Sequence, residues 1–191
     1  MKTPHYRIDL IRQMADCDAN FIRLLKLMPE LESIRTACFS ASSSDSESHT
    51  DNAPVFQMHA VEGNAQQNEE ESLRYAREFQ IHSSSEEAIK IRISVLEVFR
   101  YTSTLVVTQM NRISPWISPP SIVVRVYHDA ATAEAVAYQG HRAFLAKYAI
   151  PNPRMYHQDE KRQINEFLGE WLSLCLQAGH SVKAPSFICA A

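Results

Sequence analysis

A cluster of polar side chains closes an apolar run near the middle of this sequence. Arg125, Tyr127, His128 and Asp129 end the run, and Glu134 follows shortly after. Successive side chains of a strand alternate between its two faces, so Arg125 and Tyr127 share a face with Asp129. His128 lies on the other face while the strand lasts, and it converges with Asp129 only if the strand ends before Asp129. A guanidinium presents a fork of donors to a carboxylate or phosphate, which makes Arg125 a candidate for binding an anion.

The same residues also have a purely structural interpretation. Arg125 can pair with Asp129 or with Glu134 across a hairpin, and Asp129 can bond the backbone of its own turn. Under this interpretation the cluster holds the hairpin together and binds no ligand. The residue types alone leave both interpretations open.

A second polar group, with His157, Asp159 and Glu160, stands at the start of the last predicted helix. Histidine and carboxylate side chains are acceptable ligands for a divalent metal, and the 128–134 cluster offers more of them. No recognised ligand spacing such as HExxH is present, so no metal site is assigned. The alternative is that the acidic residues cap the helix and pair with its dipole.

Eight residues form the candidate binding set: Arg125, Tyr127, His128, Asp129, Glu134, His157, Asp159 and Glu160. Catalytic residues and cofactors stay unassigned. The amides of Gln163 and Asn165 lie beside the apolar stripe of the last helix and are expected to hydrogen-bond the sheet edge. Trp171 lies on the stripe itself, so it is predicted to belong to the core rather than to a ligand platform.

Composition excludes several classes of function. The 191 residues fit one domain over 1–191, 45% of them are hydrophobic, and the formal net charge of −3 predicts neither nucleic-acid nor membrane partners. The first residues lack a secretion signal and no run is long enough to span a membrane, so a cytoplasmic protein is expected. Four scattered cysteines without a CxxC pair indicate free thiols.

Hydrophobic periodicity predicts an α+β fold. Helical spacing of apolar residues runs from Leu10 to Met28, Thr3 is expected to cap this helix, and Pro29 stops it. Period-two runs then indicate strands at 89–96, 102–109, 122–127, 132–138 and 141–147, joined by short turns that favour antiparallel pairing. A last amphipathic helix begins near residue 159 and ends near Gly179. We therefore predict a five- or six-strand antiparallel meander packed by an N-terminal and a C-terminal amphipathic helix.

The stretch 40–74 differs in composition from the rest. It is rich in serine, glutamine and acidic residues, and only 55–58 supplies a short apolar fragment. So little apolar surface cannot offset an ordering entropy of roughly 1–2 kcal/mol per residue. We predict that 40–74 is a disordered insertion in the single domain.

Several short motifs in this sequence occur together: Cys17-Asp18-Ala19-Asn20-Phe21, Tyr101-Thr102-Ser103-Thr104-Leu105, Val124-Arg125-Val126-Tyr127-His128-Asp129-Ala130, Ala133-Glu134, and Gln158-Asp159-Glu160-Lys161 with Asn165, Trp171 and Cys175. In these motifs the sequence resembles the YqiB family of proteobacterial proteins. Each is weak alone and together they are specific. The resemblance implies a cytoplasmic protein, but it implies no activity, ligand or cofactor.

Three functions compete at this point. The first is a non-catalytic ligand- or protein-binding, regulatory domain, whose partner is a small anion or another protein. The second is a metal-assisted enzyme acting on a phosphate-containing small molecule through residues 128–134 and 157–160. The third is a structural partner protein recognised through the sheet edge. The spatial relation between the hairpin and the helix entrance bears on all three.

Overall fold

A computed structural model describes residues 9–42, 56–57, 75–82, 88–111, 116, 118–139 and 159–183 of the chain. In this part of the chain, one antiparallel sheet packs with helices, which confirms the predicted α+β class. No helix in the described ranges is long and apolar enough to cross a membrane. Thr3, the predicted strand at 141–147, and His157 lie outside the described residues.

Three helices have defined bounds in these ranges: α1 is Leu10–Leu27, α2 is Leu31–Ser42 and α3 is Glu160–Ala178. Asp9 caps α1, because its side chain accepts a hydrogen bond from the Arg12 amide at 3.1 Å. Pro29 lies between α1 and α2, as expected of a residue that interrupts helices. The helix α2 was not predicted, since its apolar positions lead directly into the serine-rich stretch.

Six strands form the main path of the sheet in the order β6-β5-β4-β3-β2-β7, and a short β1 pairs with β3 beside it. Their bounds are β1 Phe56–Gln57, β2 Ala76–Ile81, β3 Ile89–Val98, β4 Thr102–Gln109, β5 Ser121–Tyr127, β6 Thr132–Tyr138 and β7 Gly179–Lys183. From β2 to β6 each strand pairs antiparallel with the next, which confirms the predicted meander. The strands β2 and β7 were not predicted.

Part of the predicted insertion has described structure. The helix α2 extends to Ser42, and Phe56 pairs with Val98 at the end of β3. The other residues between 43 and 74 lie outside the described part of the chain, so disorder there stays a prediction.

The core lies between one face of the sheet and the helices. Its members are the apolar residues that alternate along the strands and one stripe from each helix: Leu24, Met28, Leu31, Ile34, Ile91, Ile93, Val95, Leu105, Ile122, Val124, Leu168, Trp171 and Leu172. Fully burying one such aliphatic side chain contributes about 1.5–3 kcal/mol, so this set accounts for much of the stability. Trp171 is 7% exposed, which confirms its predicted place in the core.

The predicted stripe of α1 is buried only in its second half. Leu10 is 61% exposed and Met14 is 54% exposed, whereas Leu24 is buried against the sheet. Helical periodicity gives the orientation of a residue around the helix axis but not how far along the axis the packing partner extends. The apolar stripe from Leu10 to Met28 is therefore not covered along its whole length.

Candidate functional site

The hairpin of β5 and β6 positions most of the candidate residues. Its register sets Arg125 opposite Glu134 and Tyr127 opposite Thr132, with a turn between the strands. Asp129 Oδ1 accepts a hydrogen bond from the next backbone amide at 2.9 Å, which is the turn contact that the structural interpretation expects. Arg125 is exposed.

Glu134 connects this hairpin to the entrance of α3. Its Oε1 accepts a hydrogen bond from the Tyr127 hydroxyl at 3.0 Å, and its Oε2 lies 2.7 Å from Nζ of Lys161. Burial raises the pKa of the Tyr127 hydroxyl, and the hydrogen bond to Glu134 raises it further. The Glu134 carboxylate is thus already neutralised by a cation and a donor of the chain itself.

A thiol stands beside this group. The charges of Glu134 and Lys161 both act on Cys17 of α1, and burial raises the pKa of Cys17 to about 11. The reactive form of cysteine is the thiolate, so at neutral pH Cys17 is an inert thiol. Cys175 is likewise a buried free thiol, with its pKa raised to about 11 by burial.

His128 lies on the opposite face of the strand, as the alternation of the sequence predicts. Its Nε2 is 2.8 Å from Oγ of Ser103, and its backbone amide donates to the carbonyl of Tyr101. Burial lowers the pKa of His128, and the nearby positive charge of Arg35 lowers it further. Ser103 is 0% exposed, whereas a nucleophile must reach its substrate, so the pair is best explained as an internal hydrogen bond.

Asp159 is occupied by side chains of its own helix. Oδ2 of Asp159 pairs with Arg162, and Oδ1 accepts a hydrogen bond from the Gln163 amide at 2.9 Å. Asp159 occupies the N-cap position of α3, but its side chain makes no capping hydrogen bond. The pairing with Arg162 raises the pKa of that guanidinium. Glu160 is half-buried in the first turn.

The structure therefore joins the hairpin and the helix entrance through Glu134 and Lys161, with Tyr127 and Cys17 beside them. It places His128 on the other face, while Asp159 pairs within α3. Within the described ranges, no group of three or more His, Cys, Asp and Glu side chains could hold a metal ion.

A groove between α1 and α3 is the feature that the sequence reasoning missed. It has a volume of about 550 Å³ and is lined mainly by polar side chains, among them Arg12, Asp16, Asn20, Arg23, Glu166 and Glu170. The α1 members recur at spacings of three and four, which places them on one helix face. That periodicity and the last helix were both visible in the sequence, but the packing of this face of α1 against α3 was not.

The floor of the groove is a close approach of the two helices at Gly169. A Cβ atom at Gly169 would lie 2.8 Å from Oδ1 of Asn20 and 3.4 Å from Nη1 of Arg23. Asn20 is 0% exposed, donates to the Asn165 carbonyl at 3.0 Å and accepts from Arg23 at 3.1 Å. The missing side chain of Gly169 thus leaves room for Asn20, and Asn20 holds Arg23 at the floor.

Asn165 ties this floor to the edge of the sheet. Its Oδ1 accepts a hydrogen bond from the Ala135 amide of β6 at 2.9 Å, and its Nδ2 donates to the Lys161 carbonyl at 2.8 Å. An unpaired amide on an edge strand would otherwise need another partner. The prediction that Asn165 bonds the sheet edge is confirmed. Gln163 instead donates to Asp159.

The rim of the groove carries charges of both signs. Arg12 pairs with Glu166 at 3.0 Å, and Glu166 also pairs with Arg162. Oδ2 of Asp16 is buried and accepts no hydrogen bond from any residue in the described part of the chain. A shielded carboxylate oxygen without a donor is costly, so Asp16 stands out among the groove residues.

Fold and groove together define a small α+β protein with a polar inter-helix groove and a tightly paired hairpin. Residues 64–181 match the family model described as "Protein of unknown function (DUF1249)", so this chain belongs to that family. The matched region contains the strands β2 to β6 and α3 and ends within β7, whereas α1, α2 and β1 precede it.

Two curated relatives share the name "Uncharacterized protein YqiB", one from Escherichia coli strain K12 and one from Escherichia coli O157:H7. Each is 41% identical to this chain over 88 residues. The matched segment is 46% of this chain and 63% of each relative, less than two thirds of their length. These relatives confirm the resemblance to the YqiB family. No solved structure matches the chain.

Proposed function

We propose that this chain is a non-catalytic protein that binds a small anion in the groove between α1 and α3, with Arg23 as the anion-binding group. The observation that carries the proposal is the setting of Arg23. Its guanidinium is held by the buried Asn20 at the floor of a groove of about 550 Å³.

Arg23 differs from its neighbours in what it binds. Arg12 and Arg162 each form an ion pair with a carboxylate. Arg23 donates to the neutral amide of Asn20, and none of the described carboxylates lies within ion-pair distance of it. A guanidinium whose position is preset and whose charge is not matched favours a carboxylate or phosphate at low entropic cost.

The residues named from the sequence support a binding protein more than an enzyme. Glu134 already has two partners, Cys17 is an inert thiol, and Ser103 is buried. The candidate set around Arg125 stays a rival anion site, since this guanidinium is exposed. The cytoplasmic location also stays a prediction.

The test is thermal stabilisation of the full chain against a panel of small carboxylates and phosphates, followed by calorimetric titration of any hit. A ligand at ~100 times its Kd stabilises the fold by about 2.7 kcal/mol. We expect Arg23→Gln to abolish the response while its amide keeps a donor for Asn20. Lys26→Gln removes the same charge from an exposed position of α1 and is the matched control.

Arg125→Gln decides between the two sites. Retained binding in Arg125→Gln, with loss in Arg23→Gln, supports the groove. The reverse pattern transfers the anion site to the hairpin and refutes the proposal. A flat panel with the native chain also contradicts it and leaves a protein partner as the better hypothesis.

A further inference from the structure

We infer that the ligand of this groove is a zwitterion, whose ammonium group binds at Asp16 while its anionic group binds at Arg23. This inference rests on the proposed function, because it assigns a second contact to the same ligand. It starts from the carboxylates of the groove, which a simple anion would leave unused.

The charge lining the groove disfavours a second negative charge on the ligand and favours a positive charge beside its anionic group. Asp16, Glu166 and Glu170 are carboxylates, and only Arg12 and Arg23 are cations among the groove residues in the described ranges. Glu166 is balanced by Arg12 and Arg162. Asp16 and Glu170 therefore repel a second negative charge but stabilise a positive one.

Asp16 is also incompletely hydrogen-bonded within the described part of the chain. One of its oxygens is shielded from solvent and accepts no hydrogen bond from the described residues. An ammonium carries three donors and no acceptor, so it stabilises the negative charge of Asp16 from the groove side, where Asp16 forms part of the lining, although Oδ2 itself is closed to it. A charge-assisted bond of this kind is roughly twice as strong as a neutral one.

The spacing of the two contacts limits the length of the ligand. Asp16 and Asn20 lie one turn apart on α1, which is an axial distance of roughly 6 Å. Arg23 reaches back to the level of Asn20, since it donates to Oδ1 of that residue. The charges of Asp16 and Arg23 are therefore about one helical turn apart, a greater distance than that between the ammonium and the carboxylate of an α-amino acid.

A ligand with its ammonium and carboxylate at the two ends of a short chain fits this separation.

The experiment is calorimetric titration of the full-length chain with glycine, 4-aminobutanoate, 5-aminopentanoate and 6-aminohexanoate. Butanoate and pentanoate are the control ligands, since they carry the carboxylate but no amine. We expect the intermediate amino carboxylates to bind at least tenfold more tightly than both glycine and the amine-free acids.

Asp16→Asn should remove this tenfold preference and leave the affinity for butanoate equal or higher. Asp18→Asn makes the same change two residues away at an exposed position of α1, and it should preserve the preference. Butanoate binding as tightly as 4-aminobutanoate overturns the zwitterion but leaves the anion site intact. Loss of all binding in the native chain overturns both proposals.

Discussion

Gly169 gives the sharpest test of how the two helices meet. Replacing a glycine inside a helix by alanine normally stabilises the protein by about 1 kcal/mol, because alanine has the higher helix propensity. Gly169 lies within α3, so propensity alone predicts a gain in the Gly169→Ala variant. The packing predicts the opposite sign.

The new methyl group would stand 2.8 Å from Oδ1 of Asn20. Such a contact is cheap when the obstructing group is free to turn away. Asn20 is not free, because it is buried and its amide is held by Asn165 on one side and Arg23 on the other. Overpacking a filled site costs about 1–3 kcal/mol, so after the gain in propensity we expect Gly169→Ala to lose about 1 kcal/mol.

A double-mutant cycle measured by urea unfolding separates the two effects. Asn20→Ala removes the obstructing amide and destabilises the protein by itself. In that background Gly169→Ala should become stabilising by about 1 kcal/mol, since only the propensity effect is left. The reasoning is refuted if Gly169→Ala stabilises the native chain, or if it is equally destabilising in both backgrounds.

Two further predictions concern the polar contacts around the sheet. Asn165→Ala should lower the free energy of unfolding in urea by about 1–3 kcal/mol, because it leaves the Ala135 amide without its acceptor. Unchanged hydrogen exchange of the Ala135 amide in this variant would contradict the assigned role. Burial and the charge of Arg35 lower the pKa of His128 below the ordinary 6.5. As the pH falls, the imidazole therefore becomes protonated in the unfolded chain before it does so in the folded chain, and the free energy of unfolding should decrease below pH 6.5. His128→Gln should flatten this dependence in urea titrations between pH 5.5 and 7.5, and an unaltered slope would assign the dependence to other groups.

Local periodicity predicted the central part of the fold. Ile91, Ile93 and Val95 are all fully buried on one face of β3, as their alternation with polar residues indicated. The short connection to β4 predicted the hairpin that the register shows. These features depend on neighbours in the chain, so they can be derived from a short window of sequence.

The strands β2 and β7 could not be found in this way. The five residues of β7 include three that are exposed, and no alternation of apolar and polar residues marks them. They form a strand because β2 offers its edge, with Phe79 opposite Ser181. Pairing with a distant strand overrides the weak local preference.

The candidate site shows the same division. The types of Arg125, Tyr127 and Glu134 correctly indicated a polar hairpin, and the alternation correctly separated His128 from Tyr127. Only the packing revealed that Glu134 is neutralised by Lys161, which the sequence places 27 residues away from it. A carboxylate that is already paired with a lysine of the same chain attracts a charged ligand only weakly.

Local repeats of two or 3.6 residues were enough to predict the α+β class, the strands β3 to β6 and the burial of Leu168 and Trp171 in the last helix, although Phe167 and Leu174 of the same stripe are exposed. The groove between α1 and α3, by contrast, depends on the tertiary structure. Asn20 and Arg23 have a spacing that only places them on one face of α1, and they form a groove floor with Gly169 because α1 crosses α3 at a residue without a side chain. A contact between distant segments leaves no period in the sequence, so the groove was visible only in the folded chain.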